Sequence, residues 1–336
     1  MDQLGKEIDS LAAETGFSGV VRVDADNTTF TKAYGLAHRA LRVPNTPDTR
    51  FAIASGTKGL TALTVMSLVE DGLLDTSTTA RSLLGTDLPL IGDAVTVEHL
   101  LAHRSGIGDY FDEEVDYPEY PLGVGAHELA TTEQFLRVLD GHPAKFAPGE
   151  RFSYNNGAYV VLALIAERAA GTPFPELVKR RVTGPAGMPD TEFLRSDELP
   201  GRTALGYLTA DGLRTNVFHL PVRGTGDGGI YSTAADIHSL WSALFAGRIV
   251  PPERVAEMVR PRSEAPPQFT RYGLGFWLDE GRDVVMLQGY DPGVSFRSLH
   301  DPVTRTTHTV LSNTAAGAWP ITRRLDQLLT GKRPPK

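Results

Sequence analysis

Strand-like runs stand at both ends of this 336-residue chain, and helical patterns fill the middle. Near the start, "SGVVRV" (18–23) and "TFTKAYGLA" (29–37) flank the turn-rich "DADN", which predicts a β-hairpin. Near the end come "YGLGFWLD" (272–279), "DVVMLQG" (283–289), "VSFRSLHD" (294–301) and "TTHTVLSNT" (306–314). Between them, helices are expected at 55–71, 96–102, 132–140, 155–170 and 233–246, with Gly72, Gly141, Gly171 and Gly247 where C-terminal caps belong. Thr233 with Asp236 resembles a capping box. An amphipathic helix with Leu4, Ile8, Leu11 and Ala12 on one side opens the chain, and another spans 319–329.

Two separated groups of strands bury their apolar faces most simply by joining one sheet. The expected fold is therefore α/β of the α+β type. It has an antiparallel sheet built from both chain ends, covered by the terminal helices, with a mostly helical lobe inserted between its strands. The sheet lobe would take 1–54 and 248–330 and the helical lobe 55–247, as one domain over 1–330 with an unstructured tail at 331–336. A binding site is expected between the lobes.

Other features narrow the function. The net charge of −8 leaves no electrostatic footprint for nucleic acid. No apolar run is long enough to span a bilayer. The start "MDQLGKEIDSLAAETGFSGV" lacks the basic, apolar and small-residue succession of a signal peptide, so cytoplasmic residence is the expectation. The absence of cysteine excludes disulfides, thiol nucleophiles and cysteine-ligated metals.

Chemistry enters with "FAIASGTKGLTALTVMSLVEDGLLD" (51–75). Ser55 and Lys58 form the single Ser-x-x-Lys of the chain, at the head of a helix apolar on most faces. Residues three apart share a helix face, so the ammonium would stand beside the hydroxyl. A lysine shielded from water can take a serine proton and so activate a poor nucleophile. The helix N-terminus adds free N–H groups near a developing oxyanion. A helix-edge lysine with its head in water is the plain alternative, and on this motif alone the two readings are even. "PGERFSYNNGAYVVLALIAE" adds Tyr154 and Asn156 in the only Tyr-x-Asn of the sequence, before a second buried helix. A tyrosine hydroxyl can relay protons, and an Asn amide can hold both a lysine and a substrate carbonyl.

Both motifs, in this order and about a hundred residues apart, resemble the serine hydrolases of the class C β-lactamase and D-alanyl-D-alanine peptidase superfamily, which includes esterases, amidases and acyltransferases. The resemblance runs through "NTPDTRFAIASGTK", "VTVEHLLAHRSGI", "GDGGIYSTAADIHSL", "YGLGFWL" and "GYDPGVSFRSLHDP", from about 18 to 318. It implies Ser55 as acylated nucleophile, Lys58 and Tyr154 sharing the proton work, and Asn156 positioning substrate. It also implies a β-lactamase/transpeptidase-like fold. The family's third motif, Lys or His, a small residue, then Gly, lines one cleft wall. Here it reads Leu287-Gln288-Gly289. Gly289 is kept, but Leu287 replaces the basic residue that helps hold the substrate carboxylate in β-lactamases and D,D-peptidases. The oxyanion would then be held by the N–H groups of Ser55 and Tyr290.

The resulting expectation is an esterase or amidase acting on a small molecule, with no metal or organic cofactor. Acyl transfer by the same residues, a β-lactamase or D-alanyl-D-alanine carboxypeptidase, and a catalytically silent ligand sensor are the rivals. Triad logic would make His103 in "LLAHRSGI" the base for a serine, but no Gly-x-Ser-x-Gly elbow is present, and the resemblance implies a hydrogen-bonded, architectural role for this His-x-Ser-Gly stretch. The stretch "DYFDEEVDYPEYP" (109–121) carries six acids and four aromatics, so it is either a solvated loop or a selector of aromatic or cationic substrates through Asp112, Glu113 and Glu114. "GTGDGGIYS" (224–232) lacks the ending of a phosphate loop and is expected to be a tight turn feeding the helix at Thr233.

Overall fold

The computed structural model describes residues 1–25, 27–112, 122–264, 270–279 and 281–330. An eight-stranded sheet takes β1 (Gly19–Ala25) and β2 (Thr28–Tyr34) from the start of the chain. The rest come from its end: β3 (Ser263–Glu264), β4 (Thr270–Tyr272), β5 (Trp277–Asp279), β6 (Val285–Asp291), β7 (Val294–Asp301) and β8 (Thr306–Ser312). Their order across the sheet is β2-β1-β8-β7-β6-β5-β4-β3, and every pairing is antiparallel. The β1–β8 pairing, from Gly19 opposite Ser312 to Asp24 opposite Thr307, is the seam between the chain ends. The sheet expected from both ends is thus the sheet observed.

Alternation along the strands serves both faces. Val21, Val23 and Val310 point to α1 (Asp2–Thr15) and the C-terminal helix Ala318–Thr330, where Ile8, Ala12, Ile321 and Leu325 complete a small core. Val20, Leu287, Phe296 and Leu311 point the other way, into the main core. That core is filled by α2 (Thr57–Glu70) and α3 (Asn156–Ala170), with Leu240, Trp241 and Leu244 of α4 (Ala234–Phe245). Residues 57–68 of α2 are all buried, as its all-round apolar sequence requires. The C-terminal helix, called α5 below, spans Ala318–Thr330.

Most expected helix ends are met. Asn155 and Thr233 accept hydrogen bonds from the N–H groups of Ala158 and Asp236, and the four end glycines adopt φ between 59° and 84°. Three details differ. The capping box is only half formed, because the Asp236 carboxylate instead accepts from Asp190 N and the Thr191 hydroxyl. The run 132–140 is a 3-10 turn (Thr132–Phe135) followed by one α turn (Leu136–Leu139). "YGLGFWLD" is broken between β4 and β5, because Gly275 (φ +90°) lies against α2. A Cβ there would sit 2.2 Å from the Ala62 Cβ.

A small second sheet sets up the site. Phe51–Ala52 pairs with Ile230–Ser232, which pairs in turn with Glu192–Phe193. It brings the segment before Ser55 alongside the glycine-rich turn before Thr233. Among the described residues no helix is long and apolar enough to cross a membrane.

Candidate active site

The chain leaves Phe51–Ala52, passes through Ala54 at φ +45°, turns once as a 3-10 helix (Ala54–Gly56) and enters α2. A left-handed alanine is uncommon and costs energy, so the surrounding structure must hold it. Ile53 N donates to Ile230 O (2.9 Å), which anchors the turn. Ser55 stands at its centre.

Lys58 is 2% exposed. Its Nζ lies 2.9 Å from Ser55 Oγ, 2.8 Å from Asn156 Oδ1 and 2.9 Å from the Asp227 backbone oxygen. Asn156 Oδ1 and Asp227 O can only accept, so they engage two N–H bonds of the tetrahedral nitrogen. The remaining direction faces the Ser55 hydroxyl. It carries a proton when Lys58 is charged and a lone pair when it is neutral. Asn156 is fixed from the other side, its Nδ2 donating to Phe111 O (2.7 Å).

The Tyr154 ring is stacked on Trp277 (5.8 Å, 13°) and lies 4.9 Å from Lys58 Nζ. The ring also lies 4.3 Å from that of His103. His103 is fully buried, and its Nδ1 accepts from Asn155 N (3.1 Å). Burial, with the Lys58 charge adding to it, pushes its imidazole well below the usual histidine range. His103 therefore braces the Tyr154–Asn156 segment as a neutral ring. Its Nε2 has no hydrogen-bond partner among the described residues.

The head of α3 is held by Asp109, which accepts from Asn156 N (2.7 Å), Gly157 N (2.8 Å) and Phe111 N (3.2 Å). Burial outweighs these three donors and pushes its carboxyl up to about 6. Next to it, Tyr110 donates to Asp227 Oδ2 (2.6 Å). Burial raises the pKa of both partners.

On the sheet side, Gly289 of β6 passes the Ser55 turn so closely that a Cβ would lie 2.1 Å from Ile53 O and 2.9 Å from Ser55 N. Tyr290 turns its ring outward, 62% exposed, and stacks on Trp319. Leu287 sits differently from the expectation of a cleft wall. It is 2% exposed, belongs to the main core and packs on Gly59, so its side chain does not line the cavity. The strand's alternation and the missing Cβ of Gly59 explain this placement.

A cavity of about 70 Å³ opens at Ser55 and Asn156. Tyr110, Phe111, Asp227, Tyr231 and Asp291 line it, with apolar walls from Leu194, Leu220 and Val222. The turn 224–232 is tight as expected, since a Cβ on Gly224 would meet Gly228 O at 2.1 Å. Its role as a cleft wall, and as the source of the carbonyl that holds Lys58, went unread in the sequence. So did Asp109, Asp227 and Asp291; the close glycines around Asp227 were the available signal. Of the acidic stretch 109–121, Asp112 pairs with Lys145, while Glu113 and Glu114 lie outside the described residues. Among the described residues no cluster of His, Asp and Glu is placed to hold a metal.

The family model for Beta-lactamase matches residues 4–330. The crystal structure of penicillin binding protein from Bacillus halodurans superimposes with a TM-score of 0.89 at 34% identity, covering 95% of this chain and 99% of that one. Esterase EstB of Burkholderia gladioli is 30% identical over 69% of this chain and 66% of its own length. A D-aminopeptidase of Gluconobacter oxydans (strain 621H) is 26% identical over 90% of this chain and 57% of its own length. The chain thus spans about two thirds of the esterase and just over half of the aminopeptidase. With nearly its whole length matched and the same fold at high superposition, the chain belongs to the Beta-lactamase family.

Proposed function

We propose that this protein is a serine hydrolase that cleaves an ester or amide bond of a small molecule through an acyl-enzyme on Ser55. The observation that carries the reading is the environment of Lys58 Nζ, whose two acceptor-only partners leave its third direction for Ser55. Ser55 Oγ attacks the carbonyl carbon as its proton passes to Lys58. The negative oxygen is received by the N–H groups of Ser55 and Tyr290, donors that need no reorganisation. The close passage of Gly289 by Ser55 N supports this pairing. When the tetrahedral intermediate collapses, the leaving group takes that proton from Lys58 by way of Tyr154. Water then attacks the acyl-enzyme and its proton passes by way of Tyr154 to Lys58; as the second tetrahedral intermediate collapses, the bond to Ser55 Oγ breaks, Lys58 returns that proton to Oγ and the acid departs. Asn156 holds Lys58 and orients the substrate carbonyl.

Kinship to an esterase and to a D-aminopeptidase supports ester and amide chemistry alike. Leu287, buried where a basic residue would receive a substrate carboxylate, disfavours a carboxypeptidase or β-lactamase role. Acyl transfer would use the same residues and is separated by product analysis with a competing amine. A cytoplasmic location is part of the proposal, and cell fractionation tests it. The direct test of function is hydrolysis of p-nitrophenyl butyrate. Turnover that disappears in Ser55→Ala is expected; equal rates in the two proteins would end the proposal.

A further inference from the structure

Both acceptors that hold Lys58 Nζ are themselves fixed by one segment of three residues, Asp109-Tyr110-Phe111. Phe111 O receives the Asn156 side-chain N–H at 2.7 Å, and Asn156 Oδ1 is the first acceptor, 2.8 Å from Nζ. Tyr110 donates its hydroxyl to Asp227 Oδ2 at 2.6 Å, and the Asp227 carbonyl is the second acceptor, 2.9 Å from Nζ. Asp109 ties the same segment to the head of α3 through Asn156 N and Gly157 N. The two acceptors differ in what else steadies them. Asn156 belongs to the first turn of α3. Asp227 belongs to a turn with glycine at 224, 226, 228 and 229, the residue type that leaves a backbone most free to move. That turn is pinned on either side of Asp227, at Gly226 O by the Thr61 hydroxyl (2.6 Å) and at Ile230 N by the Thr57 hydroxyl (3.2 Å). At Asp227 itself, the Tyr110 hydroxyl is the one side-chain donor to the carboxylate among the described residues. The Tyr110 ring packs on Phe111 and Phe135, at 6.3 Å from each, so apolar contacts place the ring and its hydroxyl is left to Asp227.

We propose that Tyr110 is a positioning residue for the proton transfer: through Asp227 it aims the carbonyl that holds Lys58 Nζ, and so keeps the third direction of that nitrogen on Ser55 Oγ. Without the hydroxyl, the Asp227 side chain loses its anchor, the glycine-flanked carbonyl shifts, and the Lys58 nitrogen follows its acceptor away from Ser55. A displacement of about 1 Å between reacting groups costs about a hundredfold in rate. The inference rests on the serine hydrolase reading and adds to it a residue outside the Ser55, Lys58, Tyr154 and Asn156 set.

The test is a double-mutant cycle on the hydrolysis of p-nitrophenyl butyrate, with Tyr110→Phe, Asp227→Ala and the two combined. Tyr110→Phe keeps the ring contacts and removes one hydroxyl. It is expected to lower kcat about ten- to a hundredfold while KM changes by less than about threefold, because Lys58 serves acylation and deacylation alike. Asp227→Ala should lose a similar factor, and the combined variant should lose no more than the slower single one, since both remove the same bond. Asp227→Asn keeps an oxygen that accepts from Tyr110, so it should be clearly faster than Asp227→Ala. A Tyr110→Phe enzyme within about threefold of wild type, or losses that multiply in the combined variant, overturns the inference and leaves the hydrolase reading standing. So does an Asp227→Asn enzyme as slow as Asp227→Ala, a comparison that decides the matter alone if Tyr110→Phe does not fold. Absence of any Ser55-dependent turnover in wild type overturns both.

Discussion

At the scale of single residues, the site turns on where one buried nitrogen spends its bonds. Lys58→Ala and Tyr154→Phe are each expected to lower kcat/KM on an amide by about a hundred- to ten-thousand-fold, with folding retained. Near wild-type amide turnover in either variant would remove that residue from the proton path. Asp109 carries a different prediction. Its folded carboxyl, at about 6, lies above its ordinary 3.8, so the protonated form is the one that folding favours. That contribution is fully present below pH 4 and is lost as pH rises through 6. Unfolding free energies of wild type minus Asp109→Asn, from urea titrations, should therefore fall by about 1–3 kcal/mol between pH 4 and pH 7. A flat difference would contradict the assignment. The Ser55–Lys58 pair was legible because two residues three apart at a helix head share a face, whereas Tyr154 and Asn156, about a hundred residues on, were joined to it only through the family resemblance. Asp109, Asp227 and Asp291 were not legible, because a carboxylate's importance lies in which distant N–H, hydroxyl or cavity it meets.

At the scale of elements, the account depends on how closely β6 passes the head of α2. Gly289→Ala should displace Ser55 N, because the new methyl would collide with Ile53 O and Ala54. A cost of about 1–3 kcal/mol in stability and a loss of turnover greater than that destabilisation explains are expected. Normal activity would show that the strand does not help to place the Ser55 turn. Leu287→Ala tests the other side of the same strand. It should cost about 2–5 kcal/mol as a core truncation, read as a lower Tm. A negligible change in Tm would contradict the buried placement of Leu287. Helix starts at Asn155 and Thr233 were readable because capping is local chemistry. The break between β4 and β5 was not, since it arises from contact with α2. The inward turn of Leu287 follows from strand alternation and from the space left by Gly59, and only the second of these needs the third dimension.

At the scale of the whole molecule, strands from both ends of the chain share one sheet, and the helices that begin and end the chain cover it together. Glu7 of α1 accepts from Arg324 Nε of α5 at 3.0 Å, across the same face that buries Ile8 and Ile321. Deleting residues 1–16 should expose Val21, Val23 and Val310 and cost at least about 3 kcal/mol, while the fraction that remains folded keeps its turnover per active site. Loss of turnover from a correctly folded fraction would mean that the terminal helices reach the site in a way their packing does not suggest. The sheet built from both ends was legible because strand patterns sat at the two ends with nothing comparable between them. The central claim is that Lys58 arms Ser55 for covalent chemistry. Intact-mass spectrometry after brief exposure to a fluorophosphonate tests it most directly, with Ser55→Ala and Lys58→Ala alongside. One adduct on wild type, none on Ser55→Ala and a much slower one on Lys58→Ala is the predicted result; an unlabelled wild type, or equal labelling of all three, would contradict it.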